Sequence, residues 1–148
     1  MAVTHFTVDD AIERLDRSLT NYETMMLYNI VPEAAKYLAG RDIESIAKTT
    51  EFNNHPDALC VSGLTAGAET DTQILMRVKN AVKHTPVFCN TGCNKDNIRR
   101  QLEHSDGAVC ATTFKVDGVF ENPVDVNRVK EFMAEVVAFR KELAQKEG

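Results

Sequence analysis

The stretch Ala58–Asn94 reads ALCVSGLTAGAETDTQILMRVKNAVKHTPVFCNTGCN, and its rhythm decides the fold. ALCVSG (Ala58–Gly63) is a short, nearly all-apolar run closed by small polar residues, as a strand buried on both faces requires. From Thr70 to Val82, the residues Ile74, Leu75, Val78 and Val82 fall at helical spacing. PVFCN (Pro86–Asn90) then reads as a second strand, broken by Thr91-Gly92 before a helix expected over Asn94–Glu103. Strand, amphipathic helix and strand in succession make a parallel βα unit.

The same alternation runs outward in both directions. Upstream, TMMLYNIV (Thr24–Val31) is an apolar run stopped by Pro32 and suits a strand buried on both faces, and Arg41–Thr50 sets Ile43, Ile46 and Ala47 on one helical face. Before it, Ala11, Ile12, Leu15 and Leu19 predict a helix over Val8–Thr20. Downstream, GAVCATTF (Gly107–Phe114) predicts a fourth strand, Lys115–Asn122 a turn-rich connection, and Asp125–Gln145 a final helix. The expected class is α/β, built of parallel βα units with about four strands and five helices, in one domain over residues 1–148.

Seventeen Lys and Arg against 22 Asp and Glu leave a net charge of −5, with 43% hydrophobic and 26% charged residues. That balance lacks the basic surface that supplies affinity for nucleic acid or anionic membranes, so neither is an expected partner. No apolar run approaches the roughly 20 residues of a membrane helix. The start, MAVTHFTVDD, has no apolar signal core, which points to the cytoplasm, where Cys60, Cys89, Cys93 and Cys110 are expected as reduced thiols.

In parallel α/β sheets, ligands bind beyond the carboxyl ends of the strands. The first run ends around Asn29 and Glu33, the second runs on from Ser62 through Glu69 to Asp71, the third ends in Asn90-Thr91-Gly92-Cys93-Asn94, and the fourth in Thr112-Thr113-Phe114-Lys115. Gly92 before a helix start, beside Thr112 and Thr113, places backbone N–H groups of Cys93 and Asn94 and two hydroxyls around one point, a phosphate-binding geometry. Asn29, Glu69, Asp71 and Lys115 are the candidate catalytic groups, with Lys115 able to pair with phosphate or polarise a carbonyl. Each residue also has a plainer reading as a turn former, helix cap or solvated side chain.

The cysteines do not come as two closely spaced couples, so no metal site and no cofactor is expected, and three of them sit in apolar strands as small hydrophobes. Cys93, near a helix start, is the thiol with a reason to be reactive. His55, His84 and His104 precede strands, on the opposite side from the strand ends, and read as surface residues.

LYNIVPEAAKYLAGRDI (Leu27–Ile43), NNHPDALCVSGLTAGAETD (Asn53–Asp71), VFCNTGCN (Val87–Asn94) and SDGAVCATTFKVDGVFENPVD (Ser105–Asp125) resemble the BtpA/SgcQ family. The resemblance runs from about Met25 to Phe139, with the first 22 residues weakly matched. It implies a (β/α)₈ barrel, typically of about 250 residues, of which this chain resembles the C-terminal half, with its strands as the fifth to eighth. It also leads one to expect glycine where Ala111 stands. Family members have been connected with photosystem I biogenesis and with sugar-utilisation gene clusters.

Two classes of function compete. One is a phosphosugar isomerase or lyase whose small anionic ligand is held by Gly92, Cys93, Asn94, Thr112 and Thr113. The other is a non-catalytic assembly or regulatory protein, or a truncated relic without activity. Four parallel strands alone leave two apolar edges, so a homo-oligomer or a complementing half-barrel chain is the expected partner.

Overall fold

The computed structural model describes residues 25–32, 37–65 and 67–146. The expected helix over Val8–Thr20 and the candidate Glu33 lie outside the described residues. Four parallel strands pair in chain order: β1 (Leu27–Val31), β2 (Ala58–Val61), β3 (Val87–Cys89) and β4 (Gly107–Ala108). Between and after them run α1 (Ile43–Asn54), α2 (Thr72–Ala81), α3 (Ile98–Leu102) and α4 (Val126–Lys146). This is the expected α/β class, four consecutive βα units of a barrel.

Helix starts follow local chemistry. The Asp42 carboxylate accepts the Ser45 N–H at 2.7 Å to open α1, and Asp71 accepts the Gln73 N–H at 2.8 Å to open α2. α1 ends at His55, which takes the left-handed conformation with φ 44° and donates its N–H to Glu51. Ile46 and Ala47 of α1, Leu75 and Val78 of α2, Ile98 of α3 and Phe132 and Val136 of α4 pack on Ile30, Leu59, Val61, Val87 and Cys89. All of these strand residues alternate onto one face. The paired residues Asn29, Cys60 and Phe88 lie on the opposite face, by the two-residue period of a strand.

The strands differ from expectation at both ends of the sheet. β2 is buried throughout, as a doubly covered strand should be, but β1 buries only Ile30 fully and leaves Leu27 41% exposed. Among the described residues it is an edge strand rather than one buried on both faces. The fourth strand, expected to run to Phe114, forms ladder pairs only at Gly107–Ala108, with one more bond from the Val109 N–H to the Cys89 carbonyl at 2.8 Å. β3 has turned away by Thr91, so no described strand lies where Cys110–Phe114 could pair with it, and Thr112–Phe114 coils into a 3₁₀ turn. Gly107 is needed where it stands: a Cβ there would meet the Phe88 ring at 2.9 Å.

Between β3 and α3, the expected ten-residue helix shrinks to five because two asparagines satisfy the backbone instead. The Asn94 side chain accepts from the Asp96 and Asn97 N–H groups at 2.9 and 3.2 Å, while Asn97 accepts the Asn94 N–H at 2.8 Å and donates to the Gly92 carbonyl at 2.9 Å. Such local side-chain bonds compete with helix. Ion pairs between neighbouring helices, Arg77–Glu44 and Arg99 with Glu135 and Glu142, are surface contacts that contribute little stability individually.

Glu51 does more. Its carboxylate accepts the N–H groups of His84 and Thr85 at 2.9 Å and of Lys83 at 3.2 Å, fastening the α2–β3 turn to α1. Burial pushes this carboxyl up, but the three N–H groups outweigh it and hold the carboxyl at about 2, below the ordinary 4.5. Because the folded value is depressed, the stabilisation is complete above pH 4.5 and disappears as pH falls toward 2. Glu51→Gln should therefore destabilise by about 1–2 kcal/mol at neutral pH, after discounting for partial exposure. In urea titrations the gap between the two proteins should close as the pH is lowered through that window, and a constant gap would contradict the charge-based account.

Candidate functional site

The carboxyl ends of β2 and β3 are joined to the β2–α2 loop. The Thr91 hydroxyl donates to the Ala68 carbonyl at 2.9 Å and accepts the Gly63 N–H at 2.6 Å, and the buried Thr70 hydroxyl donates to the Val61 carbonyl at 3.1 Å. Gly63 and Gly92 are glycines because Ala68 lies against them: a Cβ on either would fall 2.4 Å from the Ala68 backbone. Gly92 also has φ +71°. The space beside Gly92 that the sequence reading reserved for a phosphate is thus partly taken by the chain itself.

Next to this junction opens a cavity of about 500 Å³ at the ends of β3 and β4. Gly92, Cys93, Asn94, Thr112 and Thr113, the expected anion-binding set, all line it. Two details of the expected geometry are corrected. The Asn94 N–H is engaged by Asn97 and faces no ligand, and α3, with five residues starting at Ile98, offers no helix N-terminus beside Gly92. Ala111, which stands where the resemblance leads one to expect glycine, has φ −136° and ψ −73°, outside the ordinary helical and strand regions.

The expected catalytic set does not line this cavity. Asn29 donates through its amide to the Ser62 hydroxyl at 2.8 Å and accepts the Val31 N–H at 3.2 Å, and Asn90 donates to the same hydroxyl at 2.9 Å. Only Asn90 of these reaches the cavity wall. Glu69 is ion-paired with Arg100 and accepts from the Gln101 amide at 2.8 Å. The Arg100 hydrogen bond, opposed by burial and helped by Gln101, holds the Glu69 carboxyl below its usual range, so it remains a charged clamp. Asp71 is the cap of α2, and Lys115 sits beyond the 3₁₀ turn in an antiparallel bridge with Val124.

Arg128, in the first turn of α4, lies away from the strand ends from which the site was expected to be built. Its Nε donates to the Thr113 carbonyl at 2.8 Å, and the residue lines the cavity. The turn is fixed from two sides: the Asp125 N–H donates to the Phe114 carbonyl at 2.7 Å, and the Phe114 and Phe132 rings meet edge to face with centroids 5.1 Å apart. Among the described residues, no carboxylate forms an ion pair with Arg128. Four of its five N–H donors are therefore not committed to Thr113.

Three thiols adjoin the same wall. Cys89 and Cys93 stand with Sγ atoms 3.1 Å apart, and Cys93 and Cys110 line the cavity. The Cys93 thiol beside it, against the opposing effect of burial, brings Cys89 down to about 7. Cys93 is pushed up, first by Cys110, then by Cys89 and burial, which runs against the reactivity expected of it near a helix start. Among the described residues no group of His, Cys, Asp and Glu is arranged to hold a metal ion.

Fold and cavity together define a section of a (β/α)₈ barrel with its open site at the carboxyl ends of β3 and β4. Residues 7–138 match the BtpA family model, and the chain belongs to the BtpA family. It is 60% identical over 119 residues to the sgc region protein SgcQ of Escherichia coli K12, covering 80% of this chain and 44% of that protein. A Methanocaldococcus jannaschii protein is 30% identical over 121 residues, 76% of this chain and 46% of its own length. The photosystem I biogenesis protein BtpA of Synechocystis is 26% identical over 120 residues, 81% of this chain and 42% of that one. The chain spans about half the length of these curated relatives. No helix among the described residues is long and apolar enough to cross a membrane.

The glycine junction yields a discriminating test. Gly92→Ala combines a positive φ with a backbone collision and should cost more than about 2 kcal/mol in denaturant unfolding. Gly67→Ala shares the positive φ, +76°, but opens onto free space, and should cost only about 1 kcal/mol. Equal losses would mean that the Ala68 contact does not constrain Gly92.

Proposed function

We propose that the chain forms the phosphate-anchoring part of a barrel that handles a phosphorylated sugar-type molecule, in an isomerase or lyase reaction. The observation that carries this reading is Arg128, held on Thr113 with four donors not engaged by any described residue, in a cavity that Thr112, Thr113, Gly92 and Cys93 also line. A guanidinium with fixed orientation suits phosphate, because its planar fork matches two oxygens at once. Thr112 and Thr113 add neutral donors on the β4 side, and Asn90 adds an amide toward the part of a ligand that bears hydroxyls.

In this reading the chain supplies binding rather than proton transfer. Arg128, Cys93 and Cys110 are the ionisable side chains on the cavity wall among the described residues, and Glu69, Asp71 and Lys115 are not part of that wall. A general acid and base would come from the remaining strands of a complete barrel. The open edges argue in the same direction: Met25 before β1, Leu27 at its start and Val109 after β4 are 63%, 41% and 40% exposed. We expect the isolated 148-residue chain to cover them by self-association, at twice its 16.5 kDa mass in sedimentation.

Titration calorimetry tests the anion site. Inorganic phosphate and a pentose 5-phosphate should bind, Arg128→Ala should weaken both by about tenfold or more, the loss of a charge-assisted contact, and Lys115→Ala should leave both unchanged. Absence of binding to the native chain, or equal weakening by the two substitutions, would refute the assignment.

A further inference from the structure

Cys89, Cys93 and Cys110 come from three places, the end of β3, the β3–α3 loop and the segment after β4, yet they adjoin one another at the cavity wall. Cys89 is fully buried and Cys93 is 4% exposed, whereas Cys110 is half-buried and borders the open space. The Sγ–Sγ separation of Cys89 and Cys93, 3.1 Å, is about 1 Å longer than a disulfide bond. The four-residue spacing Cys89-x-x-x-Cys93 spans the turn at Gly92, and closing the bond requires the two sulfurs to approach by that amount. Cys60, by contrast, lies on the opposite face of the sheet.

We propose that Cys89 and Cys93 are a redox-active pair, closed to a disulfide by exchange with a low-molecular-weight disulfide that enters the cavity and is received by Cys110. The exchange proceeds in three displacements. The Cys110 thiolate attacks the small disulfide, forming a mixed disulfide and expelling one small thiolate, which takes up a proton. Cys93, losing its proton, attacks the Cys110 sulfur and expels the second small thiolate. The Cys89 thiolate then attacks the Cys93 sulfur and returns Cys110 to its thiol form. Two thiol protons and two electrons leave the protein, one small disulfide becomes two small thiols, and one S–S bond replaces another throughout.

Two of the three thiols are eased toward thiolate, and Cys93, pushed up by its neighbours, passes its proton to the departing small thiolate as it attacks. The neighbouring Cys93 thiol lowers both Cys110 and Cys89, against burial, which favours the thiolate at the receiving and the final attacking sulfur. Burial raises Cys60, which has no such neighbour to offset it. It serves as an internal control that should stay reduced.

The test is to incubate the reduced native chain with oxidised glutathione and follow its intact mass, then map the bond in proteolytic peptides. The expected result is a loss of two hydrogens with the bond between Cys89 and Cys93, and a rate about tenfold lower for Cys110→Ser. The proposal is overturned by a glutathione adduct that persists on one cysteine, by a bond that maps to any other pair, or by an unchanged rate in Cys110→Ser. It is equally overturned by no reaction in the native chain while the urea-unfolded chain reacts. These outcomes are independent of whether phosphate binds in the cavity.

Discussion

The constraint on which the site depends is the close approach of the Ala68 backbone to Gly63 and Gly92. Two strand ends and one loop meet there without a side chain between them, and a Cβ on either glycine would lie 2.4 Å from that backbone. The Thr91 hydroxyl locks the meeting by donating to Ala68 and accepting from Gly63. Because the β2–α2 loop is folded onto the end of β3, the open volume is displaced toward β4, where Thr112, Thr113 and Arg128 stand. Most of the chemistry at the β2 end, Glu69 and Asp71 included, is spent on holding this arrangement.

The alternation of apolar runs and amphipathic helices made the parallel architecture legible, since β2 and α2 are buried where their patterns demand. Boundaries failed wherever a tertiary partner decided them. Cys110–Phe114 is apolar enough for a strand, but a strand needs a neighbour, and β3 ends before it could serve. Asn94–Glu103 has helical spacing, but Asn94 and Asn97 bond the backbone first. That Gly92, Cys93, Asn94, Thr112 and Thr113 come together was legible because they follow neighbouring strands of one parallel sheet. Arg128 was not, since a basic residue in the first turn of an amphipathic helix looks like any solvated side chain until the 3₁₀ turn brings Thr113 to it.

The same folding explains the thiols. Cysteines in apolar strands are ordinary core residues, and Cys60 is one. Cys89 and Cys93 become a pair only because Gly92 reverses the chain immediately after β3, returning Cys93 over the strand it has just left. Site and thiol pair therefore share one turn, and a single glycine with φ +71° supports both.

The most direct test of the anion assignment is a phosphate titration followed by amide resonances. Shifts confined to Gly92, Cys93, Thr112, Thr113 and Arg128, with Glu69, Asp71 and Lys115 silent, are what this arrangement predicts. Shifts centred on Glu69–Asp71 or Lys115, or none anywhere at millimolar phosphate, would contradict it.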